Sequence, residues 1–134
     1  MRRLVTASLA VVILGIAGMA LAASDRHVKA DLAPLASSGI SGTVDKSEQL
    51  SGTMIRLQVK GLQPGVDYIS TFYQNHNCET EAATPQNVVA SFKANPAGIA
   101  IVTAKLATQF DQIGSVSVRL RSDQTVQACG SFAQ

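Results

Sequence analysis

The chain has 134 residues, 46% of them hydrophobic, with 11 basic and 9 acidic side chains, two cysteines and no tryptophan. Its length suits one domain with a modest core. Setting aside residues 1–22, which carry Arg2 and Arg3, leaves nine basic against nine acidic residues. So balanced a chain lacks the cationic footprint of a nucleic-acid binder, and neither nucleic acid nor an anionic membrane surface is expected as a partner.

Residues 1–22 read as a secretory signal peptide. Arg2 and Arg3 form a basic start, Leu4 to Leu21 is almost wholly apolar or small, and Ala20-Leu21-Ala22 offers the small-x-small site a signal peptidase prefers. Cleavage after Ala22 is expected, with a secreted or periplasmic destination; an uncleaved membrane anchor is the alternative, because the stretch is near the length of a membrane span. Disulfides persist after export, so Cys78 and Cys129 are read as paired, with an intermolecular bond or a reactive thiol as the alternative. Closing that loop stabilises the fold by about 4 kcal/mol on the chain-entropy estimate.

Residues 23–38 read as a polar leader containing Pro34, and residues 39–134 as the folded domain. From Gly39 onward the hydrophobic pattern has period two, which means strands. Ile40 to Val44 opens the series. In Thr53 to Lys60, Ile55, Leu57 and Val59 alternate with Arg56, Gln58 and Lys60. A turn cluster, Gly61 to Gly65, leads into a strand from Val66 to Tyr73, in which Tyr68, Ser70 and Phe72 share one face while Ile69 and Tyr73 take the other. Val88 to Lys93 follows. Asn95-Pro96-Ala97-Gly98 then reverses the chain into Ile99 to Leu106. Ala104 to Phe110 is a helical candidate too short to stand by itself. Val116, Val118 and Leu120 alternate with Ser117, Arg119 and Arg121; contact with an anion is one reading of the two arginines, and the preferred one is a solvent face that protects against aggregation. A turn at Ser122-Asp123-Gln124 leads to the last strand, Thr125 to Phe132. About seven short strands favour an all-β antiparallel sandwich or barrel.

Two families compete for these motifs. Leu62-x-Pro64-x-x-x-Tyr68 resembles the tyrosine corner of fibronectin type III domains, whose corner comes late in the fold. Four strands follow Tyr68 here, which weighs against a fibronectin-like adhesion module. Ser41-Gly42-Thr43-Val44, Gly61-Leu62-x-Pro64-Gly65, Asn95-Pro96-Ala97-Gly98-Ile99-Ala100, Ile113 to Val118 and Ala128-Cys129-Gly130 stand in the order of the copper/zinc superoxide dismutase family and its small secreted relatives. This resemblance implies a Greek-key β-sandwich or flattened barrel. It also implies a clasp between Cys129 in the last strand and Cys78 in a loop.

The same resemblance implies copper held by four histidines and zinc by three histidines and an aspartate, one histidine being shared. The chain has only His27 and His76. The copper pair falls on Ser70 and Phe72, or on Phe72 and Gln74 in the register of the secreted relatives. The late copper histidine falls near Leu120, and the substrate-guiding arginine falls on Val126. Nine residues between Cys78 and Val88 are too few for the long zinc loop. Copper cycling needs an imidazole-rich or soft site, so no catalytic residue, metal or cofactor is expected.

A zinc site from His76, Cys78, Glu79 and Glu81 has the right donor types, imidazole, thiolate and carboxylate. Oxidation of Cys78 would leave it one imidazole and flexible acids, so a polar loop tip pinned by the disulfide is the preferred reading. The expectation is a non-catalytic dismutase-like domain that binds or scaffolds a protein or small molecule. A divergent dismutase with an unusual metal site is the alternative.

Overall fold

The computed structural model describes residues 26–79 and 87–133; residues 1–22, read above as a signal peptide, lie outside them. Eight strands form one antiparallel sheet: β1 (His27–Pro34), β2 (Ser41–Gln49), β3 (Gly52–Lys60), β4 (Asp67–Tyr73), β5 (Val88–Lys93), β6 (Ala100–Leu106), β7 (Ser115–Leu120) and β8 (Val126–Ser131). Their spatial order is β5-β4-β7-β8-β1-β2-β3-β6. The sheet curls until its two end strands approach, and the turn at Asn95–Gly98 links them. In that turn Asn95 Oδ1 accepts from the backbone N–H of Ala97 and Ile99, both at 3.0 Å. Gly98 has φ 77° and packs against the Leu62 carbonyl, which leaves no room for a Cβ. The connections β3→β4 and β6→β7 join strands that are not neighbours, so the topology is a Greek key and the architecture a nearly closed, flattened barrel.

Alternation decides what fills the interior. Val44 of β2, Ile55 and Leu57 of β3, Val116 and Val118 of β7 and Ala128 of β8 are completely buried. Each such branched aliphatic contributes roughly 1.5–3 kcal/mol relative to an exposed one. Tyr68 and Phe72 enter the same core from β4, and Tyr68 stacks on Phe92 of β5 at 6.0 Å between ring centroids. The backbone N–H of Gln63 donates to Tyr68 Oη at 2.9 Å, tying the 61–65 turn to the core. Ser70, between Tyr68 and Phe72, is also fully buried and its hydroxyl has no partner among the described residues.

One end of the barrel is closed by a cation. Lys46 points inward from β2, and its ammonium donates to the carbonyls of Phe110 (3.0 Å) and Ile113 (2.8 Å). It lies 4.2 Å from the Phe110 ring centroid and 4.8 Å from that of Phe132. Burial pulls its pKa below the usual lysine value. Phe110 opens a short 3-10 turn, Phe110–Gln112, and its other side is covered by Arg26, 4.6 Å away. Arg26 bridges Glu48 at 2.6 Å and Asp111 at 2.8 Å and holds both carboxyls below their usual range.

The structure revises one sequence expectation here. The stretch read as a leader contains β1, which pairs with β2 along its length and with β8 at its end. Its inward residues, Val28, Ala30 and Leu32, do alternate with Lys29 and Asp31, but the run is short and sits in a stretch rich in polar and charged residues. As expected of so short a stretch, the helical candidate at Ala104–Phe110 forms no α-helix: it is the end of β6, paired with β3, followed by the 3-10 turn. The eight-stranded order, and a disulfide from a loop to the last strand, also set aside the fibronectin-like alternative.

Candidate functional site

The most unusual chemistry lies on the outside of the barrel, on β4 and β7. These strands pair with Thr71 opposite Ser117 and Tyr73 opposite Ser115, while β7 places Ser117 opposite Cys129 of β8. Since Val116 and Val118 point inward, Ser115, Ser117 and Arg119 point outward. An outward position on a barrel is ordinarily wet. Here Ser115 and Ser117 are completely buried, Arg119 is 3% exposed, Tyr73 4% and Thr71 5%.

The cover is the chain that follows β4. Cys78 reaches back over the sheet to form the disulfide with Cys129, across 6.1 Å between Cα atoms. The Cys78 N–H donates to Ser115 Oγ at 3.1 Å, and that hydroxyl donates to the Asn75 carbonyl at 2.7 Å. Asn75 braces the loop from within, its Oδ1 accepting from the N–H of Asn77 and Glu79. Gly114 makes the fold-back possible: a Cβ there would lie 2.3 Å from the Gln74 carbonyl oxygen. His76 adds a strut, with Nδ1 2.8 Å from the Phe132 carbonyl.

Beneath this cover sits a network of three hydroxyls and a guanidinium. Thr71 Oγ1 lies 2.9 Å from Tyr73 Oη and 2.8 Å from Ser117 Oγ, and the last two are 3.0 Å apart. Arg119 donates to Tyr73 Oη from Nε at 2.8 Å and from Nη2. With two N–H groups forked onto the phenol oxygen, the phenol's own proton is directed to Thr71 or Ser117. Among the described residues no carboxylate comes within ion-pair distance of Arg119. A guanidinium cannot shed its proton to escape burial, so the cluster holds a permanent positive charge inside a neutral polar shell.

This corrects the placement of Arg119 on a solvent face; Arg121, two residues on, is exposed as expected. Period two correctly separated the faces but could not show that a loop roofs one of them. A signal was present: Cys129 lies in the outward phase of the last strand, so a loop tied to it must cover its outward neighbours on β7. Tyr73, Ser117 and Thr71 were missed as a group for the same reason.

The positions that resemblance assigned to metal ligands are spread apart. Ser70 and Phe72 face the core, Gln74 is exposed, Leu120 packs against the core and Val126 is half-buried. His27 lies on β1 with Nε2 3.4 Å from Asp45, far along the chain from His76. Glu79 is exposed, and Glu81 lies outside the described residues. Cys78 is consumed by the disulfide. Among the described residues no three metal-capable side chains come together. The donors present, hydroxyls and a phenol beside a guanidinium, do not fit copper or zinc, which take imidazole, thiolate or carboxylate.

Comparison with known proteins agrees with this frame. The structure matches the Cu/Zn superoxide dismutase from Brucella abortus with a TM-score of 0.61 and 14% sequence identity, over 81% of this chain and 100% of that chain. The protein therefore has the Cu/Zn superoxide dismutase-like fold. No protein-family model and no curated protein matches the sequence.

Proposed function

We propose that this is an exported, disulfide-clasped protein of dismutase-like fold that carries no catalytic copper or zinc and works by binding or scaffolding. One observation carries the reading. The positions that resemblance assigns to the copper ligands carry Ser70, Phe72, Gln74 and Leu120, and none of these has an imidazole. Copper and zinc sites take imidazole, thiolate or carboxylate, which these side chains do not supply. What remains is a rigid barrel with a pinned loop, a format suited to presenting a surface to a protein or a small molecule.

The test uses the purified, oxidised protein. After dialysis against copper and zinc, elemental analysis should find well under one metal per chain, and superoxide turnover should not exceed that of the buffer. Stoichiometric copper with turnover would overturn the proposal, and loss of that copper in His76→Ala would establish the divergent dismutase. Export is tested by fractionation with N-terminal sequencing. A soluble form beginning at Ala23 supports signal cleavage, whereas a membrane-bound form that keeps residues 1–22 supports the anchor.

A further inference from the structure

We propose that the outer edge of β6 receives an extended acidic peptide from another protein, which adds to the sheet as a ninth strand. The inference deepens the binding reading above, on which it rests, by naming the surface and the partner. The barrel's end strands are β5 and β6, and β6 pairs with β3 on its other side. The N–H of Leu62, just past β3, donates to the Gly98 carbonyl, while the Asn95 N–H, on the β5 side of the turn, donates to the Ile99 carbonyl. Peptide groups alternate in direction along a strand, so those of Ile101, Thr103 and Lys105 point away from β3, toward the seam.

A hollow of about 410 Å³ opens in that seam, with Phe92 and Lys93 on one wall and Ile101 and Val102 on the other. Val102, Ala104 and Leu106, the inward phase of β6, are only partly buried, whereas Ile55, Leu57 and Val59 of β3 are at most 1% exposed. The core is thinly covered at this edge, and apolar side chains on the inward phase of an added strand would bury it. The outward phase is cationic and bare. Ile101 is 64% exposed, and Arg56, Lys60 and Lys105 are exposed on the same face. β3 and β6 contain no acidic residue. In register Lys60 lies opposite Ser41 and Lys105 opposite Met54; Arg56 alone of the three has an acid across from it, Asp45. Edge strands are ordinarily blunted by proline, a bulge or charge. β6 has no proline and pairs with β3 without a register shift, and its one charge, Lys105, stands at the end farther from the turn. A strand with apolar residues inward and carboxylates outward complements this edge in hydrogen bonding and in charge.

The experiment titrates the exported, disulfide-bonded protein with an end-capped peptide of alternating valine and glutamate, eight residues long, and follows the backbone amide resonances. The expected result is saturable binding with shifts centred on Ile101, Thr103 and Lys105. The same peptide N-methylated throughout keeps every side chain but cannot donate to an edge, and should bind at least about tenfold more weakly. A peptide of alternating valine and lysine should not bind. Lys105→Glu, an exposed change checked by an unaltered thermal midpoint, turns attraction into repulsion and should weaken binding roughly fivefold. No saturable binding overturns the proposal, as does equal binding of the N-methylated or the valine–lysine peptide. Protection of the Ile101, Thr103 and Lys105 amides from hydrogen exchange in the peptide-free protein also overturns it, because this chain or a second copy would already pair the edge. Shifts at the same amides with phosphatidylglycerol vesicles, but not with the peptide, would overturn it in favour of a membrane surface. Copper uptake with turnover would end the metal-free reading and leave this edge untouched, so the two fail separately.

Discussion

The barrel buries two cations in contrasting ways. Lys46 enters from inside and closes one end, where carbonyls and two rings receive it and Asp111 lies close enough to offset part of its burial. Arg119 stands on the outer face and is buried there, on the side of the sheet to which the Cys78–Cys129 disulfide ties the loop after β4. The first is a plug formed by strands and a short turn. The second is a hydroxyl-lined cluster on a face across which a covalent bond fastens a loop.

Substitutions at both places sharpen that contrast. The largest effect is expected from opening the clasp. Cys78→Ser with Cys129→Ser should lower the unfolding free energy by about 4 kcal/mol, read from urea denaturation, because the cross-link restrains the unfolded chain. The loss should come with increased hydrogen exchange at Ser115 and Ser117 and with little change near Lys46. Uniform loosening of both regions would refute a localised cover.

Tyr73→Phe comes next. It removes the acceptor of two guanidinium N–H groups and one corner of the hydroxyl triangle, and should cost about 2–3 kcal/mol. Lys46→Met keeps the aliphatic stem and the barrel-end packing but strands two carbonyls, with an expected loss of about 2 kcal/mol. If Lys46→Met proved the more damaging of the two, the interior plug and not the outer cluster would be the more demanding burial.

The smallest effect belongs to the exposed rim, Arg26 with Glu48 and Asp111. Both carboxyls have folded pKa values held below their unfolded ones, first by hydrogen bonding to Arg26. Their contribution is therefore complete above the unfolded carboxylate pKa and is lost as pH falls through the lower folded values, in the acid range below about 4. Arg26→Gln should flatten that part of the stability–pH curve and leave the neutral region nearly unchanged. An acid limb identical to that of the wild type would remove the rim from the account.

Much of the fold was legible because it depends on local alternation. The phase of Ile55, Leu57 and Val59 against Arg56, Gln58 and Lys60 marks β3 without ambiguity, and Asn95 to Gly98 marks the reversal into β6. The inward Lys46 was not legible, since a charge in a strand is ordinarily read as the wet phase; its acceptors come from Phe110 and Ile113, more than sixty residues away. β1 was hidden by its short inward run and a polar composition resembling a leader. For the outer cluster, Tyr73 and Ser117 gain meaning only when β4 and β7 are placed side by side.

From the amino acids alone come an all-β chain, its turns, a pair of cysteines suited to an oxidising compartment, and the lack of imidazoles for a copper centre. These follow from properties that neighbouring residues impose on each other: period-two alternation, turn stereochemistry and side-chain inventory. Tertiary structure alone decided that Arg119 is enclosed, that its only described acceptor is a phenol, and that Lys46 seals the barrel. Burial of a charge is set by what the rest of the chain lays around it, and the loop fastened to this face carries Cys78, fifty-one positions before its anchor at Cys129.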